Sequence, residues 1–125
     1  MLRILIADDR ATMRGTLRNL LTLYGSLDVC GEAEDGRQAV DAAVALKPDL
    51  VLLDYKMPNG DGLEAASEIR EKLPETPIVM FTLFESDELE SRARKVGVRA
   101  VVSKEEGVIK LLRTIEEELG LPSSV

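Results

Sequence analysis

PDLVLLDYKMPNGDG, residues 48–62, decides how this chain is read. Its LVLL core is apolar at every position, which suits a strand buried on both faces rather than one with a wet side. It runs straight into a carboxylate, Asp54, and then into a loop closed by NGDG, a turn sequence. An acid that served only solubility would need no such setting. The stretch points to a carboxylate held at the rim of a buried sheet for chemistry.

Reading outward, the same design repeats. LRILIA (2–7), LDVCGEA (27–33), DLVLLD (49–54), PIVMFTL (77–83) and VRAVVS (98–103) read as strands. Between and after them lie amphipathic stretches at 11–24, 36–47, 63–73, 85–96 and 105–119. Glycines and prolines punctuate the junctions, among them Gly25, Pro48, Pro74, Pro77, Gly97, Gly120 and Pro122. Strand–helix alternation with near-continuous apolar strands implies an α/β fold, a doubly wound five-stranded parallel sheet covered by helices on both faces. The chain has 125 residues, the size of one domain, read as 1–120. LPSSV at 121–125 reads as a tail or the start of a linker.

Composition removes several functions. The net charge of −7 argues against direct nucleic-acid binding by this chain, since phosphate backbones attract basic surfaces. The chain holds no histidine, which excludes Ser-His-Asp and Cys-His catalysis and nearly all zinc chemistry. A single cysteine, Cys30, cannot form an internal disulfide and reads as a small buried hydrophobe. The first apolar run is too short for a signal peptide and nothing approaches a membrane span, so a cytoplasmic location without membrane contact is expected.

The strand tips carry the remaining signal. Strand one ends in Asp8 and Asp9, strand three in Asp54, strand four near Thr82, and Lys104 follows strand five. In open α/β sheets ligands sit beyond the carboxyl ends of the strands, where the winding reverses. With strand order 2-1-3-4-5, that point lies between strands one and three. Three close carboxylates repel, by about 4 kcal/mol per pair at 4 Å and an effective dielectric near 20. Such a cluster needs cations, and oxygen-only ligands suit Mg²⁺. Carboxylates, a metal, a lysine and a hydroxyl together make a site for phosphoryl transfer. Taken singly, each residue has an ordinary reading: a helix cap for the acidic pair, a strand-end acid bonding to loop amides for Asp54, a strand residue for Thr82, a solvated lysine for Lys104. Their joint placement on one sheet edge favours the chemical one.

LIADD (5–9), PDLVLLDYKMPNGDG (48–62), PIVMFT (77–82) and VVSK (101–104) resemble the receiver domain of two-component response regulators over nearly the whole chain. The resemblance implies a flavodoxin-like sheet of order 2-1-3-4-5. It implies Asp54 as phospho-acceptor, Thr82 as switch hydroxyl and Lys104 as the lysine that meets the phosphoryl group. It places Mg²⁺ (or Mn²⁺) on Asp9, Asp54 and the Lys56 backbone carbonyl, with Asp8 acting through water. The implied donor is a sensor histidine kinase or a histidine phosphotransfer protein. The implied response is a shift of the face built by strand four, the helix after it and strand five. Regulation of transcription, a homodimer and a downstream effector domain or protein are open consequences. Glu105 after the lysine is similar to regulators carrying a helix-turn-helix output domain.

Two positions depart from the family. Val101 stands where an aromatic is usual, so the turning ring of the common switch is missing. Leu83, itself followed by Phe84, stands after the hydroxyl where a small residue is usual. The rival reading is a metal-dependent phosphohydrolase with an aspartate nucleophile. That chemistry wants a second acid two residues after the first, where this chain has Lys56. GDGLEA (60–65) fits a dinucleotide loop only loosely, because YKMPN separates it from the strand end. Arg92, Arg94, Lys95 and Arg99, opposite Glu116, Glu117 and Glu118, read either as a solvated charged face or as charges that pair across a dimer.

Overall fold

A computed structural model describes residues 1–123, so positions 124 and 125 of the expected tail lie outside the described residues. The elements alternate as β1 (Leu2–Ala7), α1 (Ala11–Thr22), β2 (Leu27–Ala33), α2 (Gly36–Leu46), β3 (Leu50–Leu53), α3 (Gly62–Lys72), β4 (Ile78–Thr82), α4 (Asp87–Lys95), β5 (Ala100–Ser103) and α5 (Val108–Leu119). All strand pairs are parallel and their order is β2-β1-β3-β4-β5, as the sequence predicts.

The period of two along each strand divides the interior into two cores. Leu5, Ala7, Val51, Leu53, Ile78 and Met80 face α2, α3 and α4. Ile4, Ile6, Leu50, Leu52, Val79, Phe81 and Val102 face α1 and α5, where they meet Leu17, Leu21, Leu111 and Ile115. The pairing continues past the strand tips. Asp8 N–H donates to Ala33 O at 3.0 Å and Asp54 N–H to Ala7 O at 2.9 Å. Both acids are therefore still in register with their neighbours when the sheet ends. Cys30 is the extra residue of a bulge on the edge strand β2; its half-buried thiol donates to Ile4 O at 3.5 Å.

The helix expected at 105–119 begins later, at Val108. Gly107, with φ 87° and ψ 175°, cannot continue a helix. Residues Lys104–Glu106 form a separate 3₁₀ turn. Its capping box joins Ser103 and Glu106: Glu105 N–H donates to Ser103 Oγ and Ser103 N–H to Glu106 Oε1. Lys104 thus leaves a braced turn rather than a helix end. At the other end, Leu121 packs against the α1/α5 core and the Tyr24 hydroxyl donates to Pro122 O at 3.0 Å.

Helix α3 has the clearest start signal. Asp61 accepts from Glu64 N–H at 2.9 Å while Glu64 Oε1 accepts from Asp61 N–H at 3.3 Å. Asp61→Ala should cost about 1 kcal/mol of stability, read as a lower midpoint in urea with an unchanged slope. A changed slope would mean that more than a cap had been lost.

Candidate functional site

Strand alternation decides which side chains meet at the rim. Ile6 and Leu52 face the α1/α5 core, so Asp8 and Asp54, two residues on and still in sheet register, follow the same side, and Lys104 reaches them from the turn after β5. Thr82 belongs with Met80 and arrives from the other layer.

The lysine ties the two buried acids together. Lys104 Nζ donates to Asp8 Oδ2 at 2.8 Å and to Asp54 Oδ2 at 3.0 Å. All three side chains are nearly inaccessible, 5 % for Lys104, 2 % for Asp8 and 7 % for Asp54. Asp54 Oδ1 accepts from Tyr55 N–H at 2.7 Å, and Asp8 Oδ1 from Arg10 N–H at 2.9 Å. The Arg14 guanidinium closes on Asp8 O at 2.7 Å. The capping alternative for Asp8 and Asp9 does not hold, because Arg10 occupies the N-cap of α1 and provides no side-chain bond.

Burial is the strongest influence on the Asp54 carboxyl and pushes its pKa up. Its bonds to Lys104 act the other way without cancelling it; Asp8 adds to the rise and the Thr82 hydroxyl opposes it slightly. Burial works to lower the pKa of Lys104, but Asp8 and Asp54 outweigh it and hold the ammonium above its ordinary value. The resting site is therefore crowded with negative charge and only partly compensated.

Asp9 completes an oxygen cluster. Asp8, Asp9 and Asp54 each offer a carboxylate oxygen, all within 4.8 Å of one another, with Asp9 exposed and the others buried. Hard oxygen donors, one of them open to water, fit a hard divalent cation that keeps part of its water shell. A cleft of about 310 Å³ opens onto the cluster, lined by Asp9, Arg10, Asp54, Lys56, Leu83, Phe84 and Lys104. Thr82 is fully buried and its Oγ1 accepts from Phe84 N–H at 3.1 Å. Every residue expected at the site is thus gathered at one rim. A wider groove of about 560 Å³ between α3 and α4, lined in part by Leu63, Glu68, Arg92 and Val96, contains none of them.

The loop between Asp54 and α3 is fastened twice. Gly62 N–H donates to Tyr55 O at 2.6 Å, closing its base. On its far side Gly36 N–H donates to Pro58 O, Arg37 N–H to Asn59 O, and Asn59 Nδ2 to Asp35 Oδ2 at 3.1 Å. Sequence reading treats NGDG as a turn and misses this fastening, since its partners lie more than twenty residues away. Two other expectations change. Glu116 is buried at 2 % exposure, so it is not part of an acidic outer face, and Glu118 pairs with Arg99 within the chain at 3.4 Å. The cause is the inward stripe of α5, which turns Leu111, Ile115 and their neighbour Glu116 inward together.

A doubly wound sheet with a lysine-bridged acid cluster at its switch point defines a class, the open α/β domains that hold ligands beyond the carboxyl ends of their strands. Comparison with known proteins makes this specific: the family model for the response regulator receiver domain matches residues 4–116, and the chain belongs to that family. The transcriptional regulatory protein PdtaR of Mycobacterium tuberculosis is 44 % identical over 114 residues, which cover 91 % of this chain and 55 % of that protein. A protein-glutamate methylesterase/protein-glutamine glutaminase of Archaeoglobus fulgidus is 38 % identical over 120 residues, 94 % of this chain and 34 % of that one. The chain therefore spans about half, or less, of the length of these relatives. Among solved structures, the response regulator domain of Thermotoga maritima CheB superposes with a TM-score of 0.89 at 30 % identity, covering 98 % of this chain and 99 % of that one. Among the described residues no helix is long and apolar enough to cross a membrane.

Proposed function

We propose that this receiver domain is a phosphorylation-driven switch that takes a phosphoryl group onto Asp54. The observation that carries the reading is the buried carboxylate of Asp54, bridged to Asp8 by Lys104 and open to a cleft at the sheet rim. The chain has no histidine, so the donor is a phosphohistidine on a sensor kinase or a histidine phosphotransfer protein, or a small phosphodonor. A carboxylate oxygen of Asp54 attacks phosphorus, the P–N bond breaks, and the imidazole leaves with the electron pair and takes up a proton. Lys104 stays paired with the transferred oxygens, and the Thr82 hydroxyl turns from Phe84 N–H to donate to one of them. Asp9, Asp54 and the Lys56 carbonyl would hold Mg²⁺ or Mn²⁺, with Asp8 acting through water. The bound ion supplies neutralisation of charge on the phosphoryl oxygens. Residues 1–120 would act as the switch. The β4–α4–β5 face would pass the signal, as a homodimer or to an effector domain or protein, in the cytoplasm.

An aspartate-based phosphohydrolase is disfavoured by Lys56, which stands where the proton-donating acid would be. Intact-mass measurement after a small phosphodonor with Mg²⁺, followed by fragment mapping, tests the proposal. One phosphoryl group on the fragment containing Asp54 supports it. Sustained turnover of free phosphoesters would instead favour the hydrolase.

Leu83 stands half exposed on the wall of the cleft. Leu83→Ala should speed both uptake from small donors and loss of the phosphoryl group to water, by severalfold each. Equal rates in variant and wild type would remove the steric role of this side chain.

A further inference from the structure

The cleft holds a cation that the reaction above does not use. Lys56 Nζ lies 5.2 Å from the centroid of the Phe84 ring. That is cation–π range, and the contact is weak at an exposed site. Both residues line the same cleft as Asp54. Phe84 is also tied through its backbone, whose N–H donates to Thr82 Oγ1 at 3.1 Å. Residue 84 is thus held on two sides, by an ammonium through its ring and by a hydroxyl through its amide. Both of those groups are attracted by a new anion on Asp54. Phe84 is 50 % exposed and belongs to neither core, whereas the other phenylalanine, Phe81, is 3 % exposed.

We infer that the Lys56 side chain is a second phosphoryl-binding cation, parked on the Phe84 ring in the resting state, and that its transfer to the phosphoryl group releases Phe84. The inference rests on Asp54 as the acceptor. A phosphoryl oxygen carries formal charge, while the ring offers only a quadrupole, so the ammonium gains by moving. Thr82 turns to the same group, so the ring and the amide of residue 84 lose their partners in one event. The segment leading to Ser86, the N-cap of α4, is then free to rearrange. Phe84 would supply from the β4–α4 loop the movable aromatic that Val101 does not supply from β5.

The chain's two phenylalanines make the test direct. Protein grown with 4-fluorophenylalanine gives two fluorine resonances, one buried reference from Phe81 and one reporter from Phe84, assigned with Phe84→Leu. Phosphoramidate with Mg²⁺ should shift the Phe84 signal and leave the Phe81 signal nearly still, with intact mass confirming the adduct. In Lys56→Met the resting Phe84 signal should already lie near the released position, and phosphorylation should move it little. Lys56→Arg, which keeps a cation, should restore the wild-type resting position and most of the shift. Lys56→Met should also lose the adduct faster than Lys56→Arg. An adduct on Asp54 with an unmoved Phe84 signal, or an equal shift in Lys56→Met and wild type, overturns the inference while leaving the acceptor intact. No adduct on Asp54 at all overturns both.

Discussion

Asp54→Asn is expected to take up no phosphoryl group and, in the absence of metal, to be more stable than the wild type at neutral pH. The first outcome follows from the loss of the nucleophilic carboxylate, because an amide oxygen does not form the acyl phosphate. The second follows from the sign of the pKa shift. Burial raises the Asp54 pKa above the ordinary 3.8 of an aspartate, so the folded state holds its proton more tightly than the unfolded chain does. The stabilisation from that group is complete below the unfolded value. It is lost as pH rises from there through the folded value. The variant has no such loss, so the difference in melting temperature should be small in acid and grow toward neutrality. The amide oxygen can serve only one of the two donors now on Asp54, Tyr55 N–H and the Lys104 ammonium, which offsets part of the gain. Lys104 keeps Asp8 in either case. Added Mg²⁺ should narrow the gap by stabilising the wild type, if its carboxylates hold the ion as proposed. A variant that melts below the wild type at every pH would show that the charge on Asp54 does not strain the fold.

Gly62→Ala should be the most damaging single methyl group in the loop. A Cβ at residue 62 would overlap Asp54 O and lie 2.8 Å from Tyr55 Cα. Both neighbours are backbone, so neither can swing away as a side-chain tip would. Overpacking of this kind costs about 1–3 kcal/mol and sometimes more. The atom displaced is the carbonyl of Asp54, the proposed acceptor, so phosphorylation should slow as stability falls. Gly15→Ala in α1 is the control. Nothing lies within 4 Å of its added Cβ, and helix propensity should raise stability by roughly 0.5–1 kcal/mol. Chemical denaturation reads both variants. If Gly62→Ala melts like the wild type, the loop is softer than its contacts indicate.

Much of this molecule can be read from its residues because its strongest signals are local. Buried strands announce themselves as unbroken apolar runs, and the acids at their ends stand one or two residues beyond. The parallel sheet then brings Asp8, Asp54 and Lys104 together, although 46 and 50 residues separate successive members. The start of α5 is less legible, because EEGVIKLL has helical composition throughout and only the positive φ of Gly107 breaks it. The buried Glu116 and the pairing of Asp35 with Asn59 depend on where whole elements lie, and no spacing rule reports that. The contact between Lys56 and Phe84 is of the same kind. Lys56 alone reads either as a solvated lysine or as a cation near the pocket, and only the packing of two loops makes Phe84 its neighbour.

The sheet works as a partition wall. The two acids that Lys104 bridges follow strand positions turned toward α1 and α5, while Thr82 comes from a strand position turned toward α2, α3 and α4. A phosphoryl group placed on Asp54 as proposed would therefore be gripped on one side and felt on the other. A docking protein could cover the gripping side while the message leaves from the far one, so donor and receiver of the signal need not compete for the same ground.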